Sequence, residues 1–185
     1  MMSKDIKTFD IQWKFFDDSK ETEVSMFVGG ENILAFQRED ETFTTRWNLE
    51  DLVFWLRDFV DNMKEEPYLV EVHGDFASIK DINSREFDCE DESEFDTYYD
   101  ALEAWNLKHR WHRDSGGAIL ADLYFQQVGD CVEISWNNTD CEEGVTFKFN
   151  LGGAYVLKDD FCTKVNFFLN AYADHWFTPT SLDNL

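Results

Sequence analysis

Along the first third of the chain, apolar and polar residues alternate in short runs, the period-two pattern of half-buried strands. "TFDIQWKFF" (8–16) and "EVSMFV" (23–28) are two such runs. Gly29-Gly30 separates the second from "NILAFQ", and a glycine pair between apolar runs predicts a hairpin. "TFTTRW" (42–47) predicts another strand. The period then lengthens: Leu49, Leu52, Val53, Leu56, Phe59, Val60 and Met63 recur at helical spacing. Asn48 stands where an N-cap belongs, Glu50 and Asp51 fall near the positive end of the helix dipole, and Pro67 lies just past the end.

The last third repeats that order. "ADLYFQQ" and "CVEISW" flank Val128-Gly129-Asp130, which predicts a second hairpin. "GVTFKFN" and "AYVLK" flank Leu151-Gly152-Gly153, which predicts a third. Phe161, Val165, Phe168, Leu169, Tyr172 and Trp176 then mark an amphipathic helix. Each end thus reads as an antiparallel meander closed by one helix. In the middle, "YLVEVHGDFASIKDI" (68–82) predicts one or two strands with a bend near Gly74. A helix follows from about Ser93 to about Arg113, ended by Gly116-Gly117. Phe95, Tyr98, Tyr99, Leu102, Trp105 and His109 share one of its faces, and Glu92, Asp96, Asp100 and Glu103 form a separate stripe. The expected fold is α+β, a curved antiparallel sheet with about three main helices. One domain spans residues 1–185: strands then a helix to 66, an acidic insert with the aromatic helix at 67–117, and strands then a helix at 118–178.

Composition changes this picture in one respect. Eighteen Phe, seven Trp and six Tyr are enough to fill a core, so the chain is not an acidic disordered tail. Yet 39 acids against 16 bases leave a net charge of −23. That excess opposes direct binding to nucleic acid or to an anionic membrane and favours a basic protein partner. The acids concentrate in "REFDCEDESEFDTYYD" (85–100), and the candidate partner-binding residues are Glu86, Asp88, Glu90, Asp91, Glu92, Glu94, Asp96, Tyr98, Tyr99, Asp100 and Glu103. The N-terminal residues lack the apolar core of a signal peptide and no run is long enough to span a membrane, so a cytoplasmic location is expected. Four scattered cysteines without a C-x-x-C pair are expected as free thiols there.

Candidate chemistry is sparse. No nucleophile elbow, zinc-protease helix, P-loop or dinucleotide fingerprint occurs. The Gly-Gly pairs are expected at turns. In "LKHRWHR" (107–113), His109 and His112 could share a metal, but no further ligand has suitable spacing, so no metal or cofactor is expected. Lys108, Arg110 and Arg113 are expected to balance the helix dipole and pair with nearby acids. Glu133 stands inside an apolar strand, where alternation places it opposite Val132 and Ile134 and toward solvent.

"VGDCVEISW" (128–136), preceded by a helix carrying Trp105 and His109 and by Gly116-Gly117, resembles an uncharacterised family of bacterial acidic proteins. The similarity covers residues 105–136. It departs from the family at Ala121, where that pattern has proline, and at Gln126-Gln127, where it has arginines. The resemblance implies a bacterial origin and a small α+β module, and no activity. More loosely, the chain resembles immunity proteins of toxin–immunity pairs. The expected function is therefore a non-enzymatic bacterial immunity protein that neutralises a toxin domain, a nuclease with a basic cleft. The alternatives are a DNA-mimic inhibitor, and an enzyme with a pocket near His109, Glu133 and Trp136.

Overall fold

The computed structural model describes residues 5–68, 72–85, 92–111 and 119–177. Strand β1 (Ile6–Lys7) runs almost directly into β2 (Phe9–Phe16), and β3 (Glu21–Val28) returns antiparallel to β2 with Phe9 opposite Val28. Gly29 and Gly30, at φ 62° and 83°, make the tight turn into β4 (Glu31–Asn32). The expected hairpin therefore forms, but its second strand is short. Ile33 and Leu34 leave the ladder and are buried. Next come β5 (Phe36–Arg38), β6 (Glu41–Phe43) and β7 (Thr45–Trp47). "TFTTRW" is thus two strands. The β6 part pairs with β5, the β7 part pairs with β3, and between them the Thr44 hydroxyl donates to the Val24 carbonyl at 2.7 Å.

Helix α1 (Glu50–Asp61) forms as expected, but its N-cap is Leu49 rather than Asn48, one residue earlier, whose side chain still accepts the Glu50 amide hydrogen at 3.1 Å. The segment read as strands at 68–82 departs from expectation. Among its described residues none is in a strand, and α2 (Ala77–Ser84) is a helix. Short apolar runs carry too few periods to separate the two states, and tertiary capping decides here. Strand β10 (below) lends α2 its N-terminal acceptors. Helix α3 (Glu92–His109) stops short of Arg113, because Arg110 and Trp111 form strand β8 (Arg110–Trp111) instead. The expected stop at Gly116-Gly117 and residue His112 lie outside the described residues.

Strands β9 (Leu123–Val128) and β10 (Cys131–Asn137) form the second expected hairpin through Gly129-Asp130. The third does not form. β11 (Val145–Phe147) pairs with β5, whereas β12 (Leu151–Leu157) pairs with β10, so Gly152-Gly153 lie inside a strand rather than at a turn. The reason is steric: a Cβ on Gly153 would come 2.6 Å from the Phe76 ring and 2.8 Å from Ser135. Glycine is required there for close approach, not for a turn. Helix α4 (Lys158–Trp176) ends the described chain.

The fold is α+β. Among the described residues the strands form three sheets: β1-β12-β10-β9-β8, β2-β3-β4 with β7 beside β3, and β11-β5-β6. All pairs are antiparallel except β1 with β12. The two ends are not separate meanders. β1 joins the last sheet, β5 joins β11, and the same apolar cluster holds Ile11 and Met26 from the start with Phe161 and Phe168 from the end. A second cluster, Tyr68, Ala77, Leu102, Trp105 and Tyr124, fastens α2 and α3 to the other face of β9. No helix among the described residues is long and apolar enough to cross a membrane.

Candidate functional site

Helix α3 carries most of the expected site. Residues 92–97 are exposed on every face of the helix, and Tyr98, whose hydroxyl donates to the Ser84 carbonyl at 2.9 Å, ties the helix to α2. From there Leu102, Trp105 and His109 are buried at helical spacing. Glu92, Asp96, Asp100 and Glu103 are all exposed, and none forms an ion pair with a described residue. Four residues, the first and last eleven positions apart, make a ridge roughly 16 Å long and within about 80° of arc. Beside it Phe95, 38% exposed, packs on Tyr99 with ring centroids 4.5 Å apart, and Tyr98 meets Tyr99 edge-on at 5.2 Å. Glu94 is exposed on the same stretch. Glu86, Asp88, Glu90 and Asp91 lie outside the described residues.

The base of α3 is held by polar contacts the sequence had only partly indicated. Arg110 grips Asp122 with both arms, Nε to Oδ1 at 2.7 Å and Nη2 to Oδ2 at 2.6 Å. Burial alone would lower the Arg110 pKa, but the hydrogen bonds and charge of Asp122 raise it. Asp81, 1% exposed, accepts from Tyr124 at 2.9 Å, Arg85 at 2.7 Å and Asn106 at 3.2 Å, so one carboxylate ties α2, α3 and β9 together. Nothing in the sequence marked Asp81. Asp122 lies within the apolar "ADLYF" run, the same signal that singled out Glu133.

Glu133 corrects an expectation. It does not face solvent: it is 4% exposed, because α2 lies across that face of the sheet. Its Oε1 accepts the Ala77 amide hydrogen at 2.6 Å, and Ser135 Oγ accepts that of Ser78 at 3.2 Å. The sheet thereby caps a helix whose own N-cap residue, Phe76, makes no side-chain cap bond. Tyr155 donates to Oε2 at 3.3 Å. Burial raises the Glu133 pKa despite these bonds.

His109 sits on the expected aromatic face, stacked on Trp105 at 4.4 Å and 4% exposed. Its Nδ1 lies 2.9 Å from the Phe125 carbonyl, which can only accept, so Nδ1 carries a proton. Burial lowers its pKa. It borders a pocket of about 290 Å³ whose walls include neither Glu133 nor Trp136. Glu133 faces α2, while Trp136 belongs to the main apolar cluster on the opposite side of β10. The trio expected to line one pocket does not converge. Lys108 does pair with an acid, Glu66, at 2.8 Å. Arg113 lies outside the described residues. Among the described residues, no three His, Cys, Asp or Glu side chains are grouped to hold a metal ion, and Cys131 and Cys162 are free thiols.

No protein-family model matches the chain, and no curated protein and no solved structure is significantly similar to it.

Proposed function

We propose that the protein is a bacterial immunity protein that acts in the cytoplasm by occupancy rather than catalysis. It binds a basic toxin domain, a nuclease, through α3. The observation that carries this reading is the exposed ridge of Glu92, Asp96, Asp100 and Glu103 on α3, whose residues 92–97 are exposed all round. A nuclease cleft is basic because it must attract phosphates. Carboxylates unpaired within the described protein steer such a cleft toward the ridge and speed association. Phe95, Tyr98 and Tyr99 beside the ridge supply aromatic area for anchoring once the charges have met. The spacing favours a local patch over a duplex mimic. Duplex DNA presents one charge per about 1.7 Å, so roughly 16 Å of it holds more than twice as many charges as the four on the ridge.

Replacing all four ridge acids with lysine tests the reading, because exposed substitutions leave the fold largely undisturbed. Against a basic nuclease toxin domain that it binds, the wild type should inhibit stoichiometrically and associate more slowly as salt rises. The quadruple variant should associate at least tenfold more slowly with a flattened salt dependence, an effect of the size steering produces. Wild-type rates and salt dependence in a folded quadruple variant would reduce the ridge to a solubility device. Inhibition at far below one equivalent would point to catalysis.

A further inference from the structure

The two exposed rings of α3 are set among the acids of the ridge, not behind them. Successive residues of an α-helix turn through about 100°. Phe95 therefore lies about 60° from Glu92 and Tyr99 about 20° from it on one side, with Glu103 about 20° and Asp96 about 40° away on the other. Along the axis, acids and rings alternate. Phe95 follows Glu92 by three residues, Tyr99 follows Asp96 by three, and Glu103 follows Tyr99 by four. Residues three and four apart are surface neighbours on a helix, about 5–6 Å between Cβ atoms. Each ring thus has a carboxylate one helical turn away.

The rings form one platform. Their centroids are 4.5 Å apart and their planes inclined at 47°, with Phe95 38% exposed and Tyr99 half-buried. Tyr98, fastened through its hydroxyl to the Ser84 carbonyl, abuts Tyr99 edge-on at 80° and props the platform from the body. Whatever covers this face must suit both rings and carboxylates. A neutral apolar segment would take water from the acids and give nothing back. A second copy of the chain would bring −23 against −23. A lysine ammonium satisfies a carboxylate, but it is compact and strongly hydrated, and it gains little from a ring face in water. A guanidinium is flat and weakly hydrated, and it carries its five N–H donors in its own plane. It can lie on a ring and donate sideways to an acid one turn away.

We propose that this face of α3 docks a pair of arginine side chains about 6 Å apart on the basic partner, one over each ring; the proposal rests on the partner-binding reading above. The spacing follows from the four-residue step between Phe95 and Tyr99. Glu92 and Asp96 flank the first ring, and Asp96 and Glu103 flank the second. About 6 Å is the separation of residues four apart on a helix and close to that of alternate residues on a strand, so either element of a partner can present the pair. The ridge then supplies long-range attraction to any basic surface, while the rings select arginine over lysine at contact.

The test uses the whole protein with ¹³C-labelled aromatic rings and ¹⁵N-labelled amides at low salt. Two probes are compared, acetyl-Ala-Arg-Ala-Arg-Ala-amide and its twin with lysine at both basic positions. The arginine peptide should move the Phe95 and Tyr99 ring resonances along a saturating curve, with cross-relaxation between these rings and the arginine δ-methylenes. It should bind at least about twofold to fivefold tighter than the lysine peptide, the size of one cation–π contact at an exposed site. The double variant Phe95→Leu/Tyr99→Leu keeps apolar bulk and loses both ring faces. Read from the α3 amides, its preference for arginine should vanish while the lysine peptide binds as before. Tyr99→Phe keeps the ring and should keep the preference. Equal affinity for the two peptides, a preference that survives the double substitution, or ring resonances that do not move overturns the proposal. None of these results touches the immunity reading, which stands or falls on whether the quadruple lysine variant associates slowly with the toxin domain.

Discussion

Glu133 and His109 are buried ionisable groups whose pH dependences have opposite signs. Burial raises the Glu133 pKa, so the folded state binds its proton more tightly than the unfolded chain. Its contribution is most favourable at low pH and is lost as pH rises through the folded value. Burial lowers the His109 pKa from 6.5, so its contribution is present above that value and is lost as pH falls below it. Substituting Glu133 isolates the first effect. Glu133→Gln keeps an acceptor for the Ala77 amide, and its amide hydrogens can reach the Tyr155 oxygen. Denaturant melts should find it more stable than wild type near about pH 7, with the gap closing toward about pH 4. A gap independent of pH would contradict the assignment. Glu133→Ala leaves the Ala77 amide and the Tyr155 hydroxyl without their partner and should cost about 1–3 kcal/mol near about pH 4, and less near about pH 7, where it also removes the buried charge.

At the scale of elements, α2 and α3 show what docking does to helices of weak intrinsic character. α2 is eight residues long, too short to persist alone, and depends on acceptors from β10 and on the gap above Gly153. Gly153→Val should push Phe76 outward and lower stability by about 1–3 kcal/mol, read as an earlier denaturation midpoint. Wild-type stability would mean that Phe76 does not pack where the structure has it. α3 divides in two: its first part is exposed all round, and its second is anchored by Leu102, Trp105, His109 and the hydrogen bond from Trp55 Nε1 to the Leu107 carbonyl at 2.9 Å. Hydrogen exchange should protect amides 102–109 well above amides 96–99. Uniform protection along the helix would show that its first half is held as firmly as its second.

Over the whole molecule, the charge that suits a basic partner works against the fold. A net charge of −23 repels itself in the compact state and is relieved by counterions. The melting temperature should therefore rise between about 0.01 M and about 1 M sodium chloride, as the screening length falls from about 30 to about 3 Å. A melting temperature that falls would mean that ion pairs such as Arg46–Glu21 and Lys164–Asp10 outweigh the repulsion. The same rise in salt should slow association with a basic partner, so stability and binding rate are expected to move in opposite directions.

Periodicity and turn chemistry were legible in the sequence because they are local. The alternation in β2, β3, β9 and β10, the Gly29-Gly30 and Gly129 turns, the apolar stripes of α1 and α4, and the separation of acids from aromatics on α3 depend only on neighbours along the chain. Pairing across distance was not legible. No local signal says that β11 leaves its neighbour for β5 or that β1 joins β12, since a strand's pattern specifies its faces and not its partner. The same limit hid the buried face of Glu133: alternation put it on the side away from Val132 and Ile134, and only the helix laid over that side made it interior. Gly153 read as a turn because a packing glycine and a turn glycine are one letter. The pocket of His109 and Glu66 joins residues 43 positions apart, so tertiary structure alone brings them together.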